Sequence, residues 1–208
     1  MTYSSSRFHG RAVASLAVGS ILATSVPSVA AAQGPILAYP NGQAPNAYEV
    51  AACAASGAII CALASSSASA AKTDTNNRFP NANRDGARGN AFQHSTWNSR
   101  MAVVMGSRSL AELFSSAHEK PISSPNPPGT SLANRNERMD LCNNKRGWNR
   151  PSNVEILTLN QQSAINKLKD EAIAMSNDAG NAAVLIPTRS CDGTRLVLFK
   201  KDDGTVIG

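Results

Sequence analysis

Asn90-Ala-Phe-Gln-His94-Ser-Thr-Trp97-Asn98-Ser-Arg-Met101-Ala-Val-Val-Met105 is the stretch that decides how this chain is read. No proline or glycine interrupts it. Asn90, His94, Trp97, Asn98 and Met101 recur at steps of three and four, so a helix over 90–105 puts them on one face. That face is polar and aromatic rather than aliphatic. A cap from Asp85 or a neighbouring Asn is expected.

Downstream, Ser109-Leu-Ala-Glu112 has the spacing of a capping box. Leu110, Leu113, Phe114 and Ala117 then form a core-facing stripe that Pro121 ends. Residues 122–134 read as a proline-rich loop. Arg135–Asn144 reads as a short helix with Gly147 as its terminator, followed by irregular chain over Trp148–Thr158. Asn160–Ser176 reads as an amphipathic helix. Ile165, Leu168, Ala172 and Met175 face inward, and Lys167, Lys169, Asp170 and Glu171 face water. Ala183–Ile186 and Arg195–Phe199 read as two strands joined around Asp192-Gly193.

Upstream, Tyr48–Ala71 is rich in Ala and Ser and reads as helical, with a break available at Gly57. Thr73–Gly89 reads as a loop. The expected fold class is mainly α: a compact helical domain with a small C-terminal β-hairpin, over residues 47–208. An extended lead-in over residues 33–46 carries Pro35, Pro40 and Pro45.

The first 32 residues read as a signal peptide. Arg7, His9 and Arg11 precede the apolar run Ala12–Ala23, and small residues around Ala30 and Ala32 suit cleavage after either. Export places the expected protein outside the cytoplasm. The whole chain carries 20 Lys+Arg and 14 Asp+Glu. Residues 1–32 hold two arginines and no acid, so 18 bases against 14 acids leave +4. That dispersed charge argues against a nucleic-acid partner. No apolar run beyond the signal approaches the roughly 20 residues a membrane helix needs.

Cys53, Cys61, Cys142 and Cys191 make an even set, which in an exported chain points to disulfides. Four cysteines allow three pairings. An unbroken helix would hold Cys53 and Cys61 about 12 Å apart, beyond the roughly 4.4–6.8 Å a disulfide spans. A break at Gly57 would let them meet; otherwise each pairs elsewhere. No CxxC spacing supports cysteine-bound zinc.

His94 and His118 are the histidines left after the signal. His118 is followed by Glu119 at a helix end, and Asp140, Asn143 and Asn144 share a face of the next helix. Three consecutive helices thus each present a polar cluster. Each residue also has an ordinary structural reading. His118 suits the negative end of a helix, Glu119 could pair with Lys120, Asp140 with Arg138, and Asn143-Asn144 could close a helix. Trp97 and Trp148 suit a core.

Asn90-Ala-Phe-Gln-His94-Ser-Thr-Trp97-Asn98, Ala117-His118-Glu119 and Met139-Asp140-Leu-Cys-Asn143-Asn144 with Gly147 resemble a bacterial domain family. That family shows NAFxHxxWN, AHE and MDLxNNxxG blocks in this order. The resemblance covers about Glu49 to the C-terminus. It implies a fold and a context, in exported proteins and at the C-termini of polymorphic toxins, where an immunity protein is the expected partner. It implies no reaction. Lys145-Arg146 and the proline-rich insertion after Glu119 depart from the pattern.

The chemistry these residues could carry is hydrolytic. His94, His118 and Asp140 could hold one divalent metal, zinc or calcium, with Glu119 as the base for a bound water. The spacing is not HExxH, since position 122 is Ile. Without metal, Glu119 and Asp140 could act as a carboxylate pair on an envelope glycan. Alternatively, His94 with Asp140 could activate water against a lipid. Asn90, Trp97, Asn98, Asn143 and Asn144 would bind or orient substrate. There is no GxSxG, GxGxxG or phosphate-binding loop. The competing reading is a secreted, toxin-like binding domain without catalysis, in which the same side chains form a buried hydrogen-bond network. A network predicts closed, satisfied groups; an enzyme predicts convergence at an accessible floor.

Overall fold

The computed structural model describes residues 44–81, 85–120, 132–174 and 191–207. Seven helices lie among them: α1 Ala47–Ser56, α2 Ala58–Arg78, α3 Arg88–Val104, α4 Arg108–His118, α5 Leu132–Asn149, α6 Asn153–Leu157 and α7 Gln161–Ala174. The mainly helical class holds. Of the expected hairpin, Ala183–Ile186 lies outside the described residues. The rest forms no sheet among the described residues; an antiparallel bridge joins Lys200 and Val206. The expected signal peptide, most of the expected lead-in, the bulk of the proline-rich loop and Met175 also lie outside.

Gly57 does break the N-terminal helix. Its φ of +87° reverses the chain between α1 and α2, and Cys53 bonds to Cys61 across the turn with Cα atoms 4.9 Å apart. The second disulfide joins Cys142 on α5 to Cys191. α2 runs on to Arg78, into the first part of the loop expected over Thr73–Gly89. Good helix formers are scarce there, but Ala71 and Thr75 are fully buried against neighbouring helices, and packing decides.

α3 is the central element and packs against α2, α4, α5 and α7. On one side, Phe92 meets Phe79 edge-on with ring centres 5.2 Å apart, among Ile165, Leu168, Leu196 and Leu198. On the other, Trp97, Met101 and Ala102 pack with Ala64, Ala71 and Phe114. Ile165, Leu168 and Ala172 face inward as their spacing predicts. The α4 stripe is rotated from expectation: Phe114 and Ala117 are buried, but Leu113 is 41% exposed and Ala111 takes the core side.

Several boundaries are corrected. α3 has no side-chain cap; Ala87 precedes it, and Asn90 accepts from the Gly86 N–H instead. α4 is capped by Ser107, whose hydroxyl accepts from the Leu110 N–H, two residues before the expected box. The stretch after Trp148 contains α6, opened by a Ser152–Glu155 capping box. Gly147 does not end α5. It lies inside the helix, where a Cβ would fall 2.6 Å from Asn98 Cβ and 2.9 Å from Ser95 Cα, and against the Ser95 carbonyl oxygen. It is there to let α5 approach α3. Because α5 runs on to Asn149, Asn143 and Asn144 do not close a helix end either.

Residues 191–207 strap the outside of α5. Asn143 donates to the Val197 carbonyl and accepts from the Val197 N–H, both at 2.9 Å. Phe199 is fully buried against Gly86.

Candidate metal centre

The close approach at Gly147 sets Asn98 of α3 beside Asn144 of α5. Asn98 Nδ2 donates to the main-chain oxygen of His94 at 3.0 Å and to Asn144 Oδ1 at 2.7 Å. A main-chain carbonyl can only accept, so the orientation of the Asn98 amide is fixed. Asn144 Oδ1 is therefore an acceptor, and its Nδ2 donates to Glu119 Oε1 at 2.8 Å. His94 Nδ1 lies 3.2 Å from the same Asn144 Oδ1. That contact is a hydrogen bond only if Nδ1 carries the hydrogen.

The tautomer has a consequence. In the neutral ring Nε2 is a bare lone pair, and it faces Asp140 Oδ1 at 3.3 Å. That oxygen is buried, and among the described residues no group donates to it. Glu119 Oε1 stands 3.5 Å from His94 Nδ1. One ligand atom from each of His94, Glu119 and Asp140 lies within 4.8 Å of the others, so the group could hold a metal ion. Electrostatics agree with the geometry. Burial, against the pull of Glu119, lowers the His94 pKa and favours the neutral ring. Burial, then the charges of Glu119 and Asp85, push the Asp140 carboxyl well above the usual carboxylate range.

His118 is placed differently. Its ring centre is 6.3 Å from that of His94. Its Nδ1 bonds to Glu49 Oε1 at 2.7 Å, and Trp97 meets it edge-on at 5.1 Å. Burial works against its charge, but the Glu49 hydrogen bond and the charges of Glu119 and Glu49 raise its pKa overall. His118 thus stands beside the three-residue group, not within it. Among the other candidates, Asn98 and Asn144 join the site. Trp97 donates its indole N–H to the Ala64 carbonyl, while Asn90 and Asn143 hold backbone.

Network and opening coexist. Asn98 and Asn144 are closed to solvent, whereas the side chains of His94, Glu119 and Asp140 keep 11%, 10% and 16% exposure. The roles of two residues escaped the reading of the sequence. Asp85 acts on both His94 and Asp140 as a charge rather than as a cap. Glu49 is the other. Its signal was available, because it is the sole acid in residues 1–73 and follows Asn46 at capping-box spacing.

No curated protein and no solved structure matches the chain. Residues 52–177 match a family model, and they contain every member of the group. That span covers more than half of the sequence, and the chain belongs to the family described as Domain of unknown function (DUF6973).

Proposed function

We propose that this is a metal-dependent hydrolase working outside the cytoplasm, with one divalent cation held by His94 Nε2, Glu119 and Asp140. One observation carries the reading: a histidine lone pair, its tautomer locked from behind, faces a buried Asp140 carboxyl oxygen to which no described residue donates. Two acceptors 3.3 Å apart repel unless a proton or a cation lies between them. A backing hydrogen bond on the distal ring nitrogen is the arrangement of metal-binding histidines. Two carboxylates neutralise a divalent charge. Three protein ligands leave positions for water and substrate, and the partial exposure of all three side chains gives access.

The imidazole favours zinc or a similar transition ion over calcium, which takes six to eight oxygens. Such an ion would supply a Lewis acid able to activate water near neutral pH. Asn144 donates to Glu119 Oε1 and so orients that carboxylate as a ligand. Export to the envelope, where glycan and lipid are the available substrates, rests on the N-terminal signal pattern and agrees with two disulfides.

The buried Asn98–Asn144 pair favours a second reading, a binding domain in which the cluster only holds helices together. Elemental analysis and calorimetric titration with zinc, manganese and calcium decide. We expect one ion per chain in the wild type and none in His94→Gln, with the helical fold retained. A folded wild type that binds no ion at stoichiometry sinks the metal reading. An ion-bound protein inert toward envelope glycans and lipids favours the binding domain.

A further inference from the structure

We propose that Asn46 and Glu49, at the start of α1, are positioning residues for the Glu119 ligand; this rests on the metal reading above. Glu119 is the first residue past α4, where the last carbonyls of a helix lack internal partners. Asn46 adds a donor at this end. Its Nδ2 contacts the carbonyls of Ala117 and His118 at 3.0 Å each and that of Lys120 at 3.2 Å. The main chain on both sides of Glu119 is thereby held by a single amide.

The same side chain caps its own helix. Asn46 Oδ1 accepts from the Tyr48 and Glu49 N–H groups, at 2.9 Å each. Glu49 completes the device. Its Oε2 accepts from the Asn46 N–H at 2.7 Å, and its Oε1 takes His118 Nδ1. Glu49 is 2% exposed. A carboxylate that deep is tolerated where its charge is met, and here it meets the residue immediately before Glu119. The Cys53–Cys61 disulfide ties α1 to α2, which packs on α3, the helix carrying His94. α1 is therefore a bracket anchored near one ligand that sets the height of another.

A helix cap alone would explain Asn46 Oδ1 but not the three contacts of its Nδ2. The two roles separate by substitution. Asn46→Ser retains a capping hydroxyl, since Ser and Asn cap equally well, but has no amide to reach α4. Asn46→Asp likewise keeps the cap oxygen and loses the donor. Ser152→Ala, which removes the α6 cap, is the control for lost stability without lost positioning.

The experiment is zinc titration of the full chain, with the visible spectrum of the cobalt-loaded form as a second readout of ligand geometry. Supporting residues behind metal ligands typically contribute about 10–100-fold in affinity. Asn46→Ser and Asn46→Asp should weaken zinc by that factor and alter the cobalt bands, while Ser152→Ala changes neither. Zinc affinity and cobalt bands equal to wild type in either folded Asn46 variant overturn the proposal alone. A wild type that binds neither ion overturns this proposal and the metal reading together.

Discussion

Gly147→Ala tests the central contact of the fold. The added methyl would lie 2.6 Å from Asn98 Cβ and 2.9 Å from Ser95 Cα. Carbon atoms prefer about 3.5–4.0 Å, so α5 must retreat by about 0.6–0.9 Å or more. The obstruction includes backbone of α3, which no rotamer change relieves. Overpacking of this kind costs about 1–3 kcal/mol, and the better helix propensity of Ala returns about 1 kcal/mol. A net loss of up to about 2 kcal/mol is expected, which is at most roughly 8 °C in Tm for a chain of this size. The retreat would also stretch the 2.7 Å Asn98–Asn144 bond and release the His94 tautomer, so zinc affinity should fall with stability. Thermal unfolding followed by circular dichroism, with chelator and then with zinc, measures both. A Gly147→Ala variant more stable than wild type by about 1 kcal/mol, as a solvent-facing Gly→Ala would be, refutes the close-contact reading.

Two further perturbations follow from charge. Asp140→Asn should abolish ion binding and stabilise the metal-free protein at pH 7, by about 1 kcal/mol or more, because the new amide can donate to His94 Nε2. The raised pKa of Asp140 gives the sign. The wild type has the full stability of a neutral Asp140 only below the ordinary carboxylate range and loses it as pH rises through the raised value. Urea unfolding in chelator should therefore show the variant ahead at pH 7 and level near pH 3.5; a variant behind at pH 7 contradicts the assignment. Glu155 has the opposite sign. Burial alone would raise its pKa, but Lys167, Ser163 and Ser152 donate to it and bring it to about 2. Its contribution is present above the ordinary glutamate pKa and lost as pH falls toward 2. Glu155→Gln should cost about 1–3 kcal/mol at pH 7, with the gap closing in acid; a gap that persists at pH 2 excludes the charge as its source.

The His94 face was legible because steps of three and four survive in any helix, and polar residues on the inner side of a central helix stand out. The Gly57 turn was legible through the two cysteines that an unbroken helix would keep apart. Other features depend on packing that spacing does not encode. Gly147 looked like a stop because a glycine near a helix end and one between two helices have the same local neighbours. Leu113 looked buried because its stripe shares a turn with Phe114, and only the position of α1, α3 and α5 around α4 decides which side is covered. The separation of His118 from His94, Glu119 and Asp140 depends on Glu49, 69 residues away in sequence.

Residues 140–147 of α5 have one further consequence, for insertions. Asp140 faces the acceptor group, Cys142 the disulfide, Asn143 the C-terminal strap, Asn144 the amide pair and Gly147 the α3 backbone. Each successive position is turned by about 100°, so Asp140, Asn144 and Gly147 fall on one face, Asn143 at its edge and Cys142 on the opposite side, five attachments within about two turns. A substitution breaks one of them. A single inserted or deleted residue rotates everything beyond it and mismatches several at once, however mild the residue. This segment should therefore keep a constant length through sequence change that its individual side chains could survive.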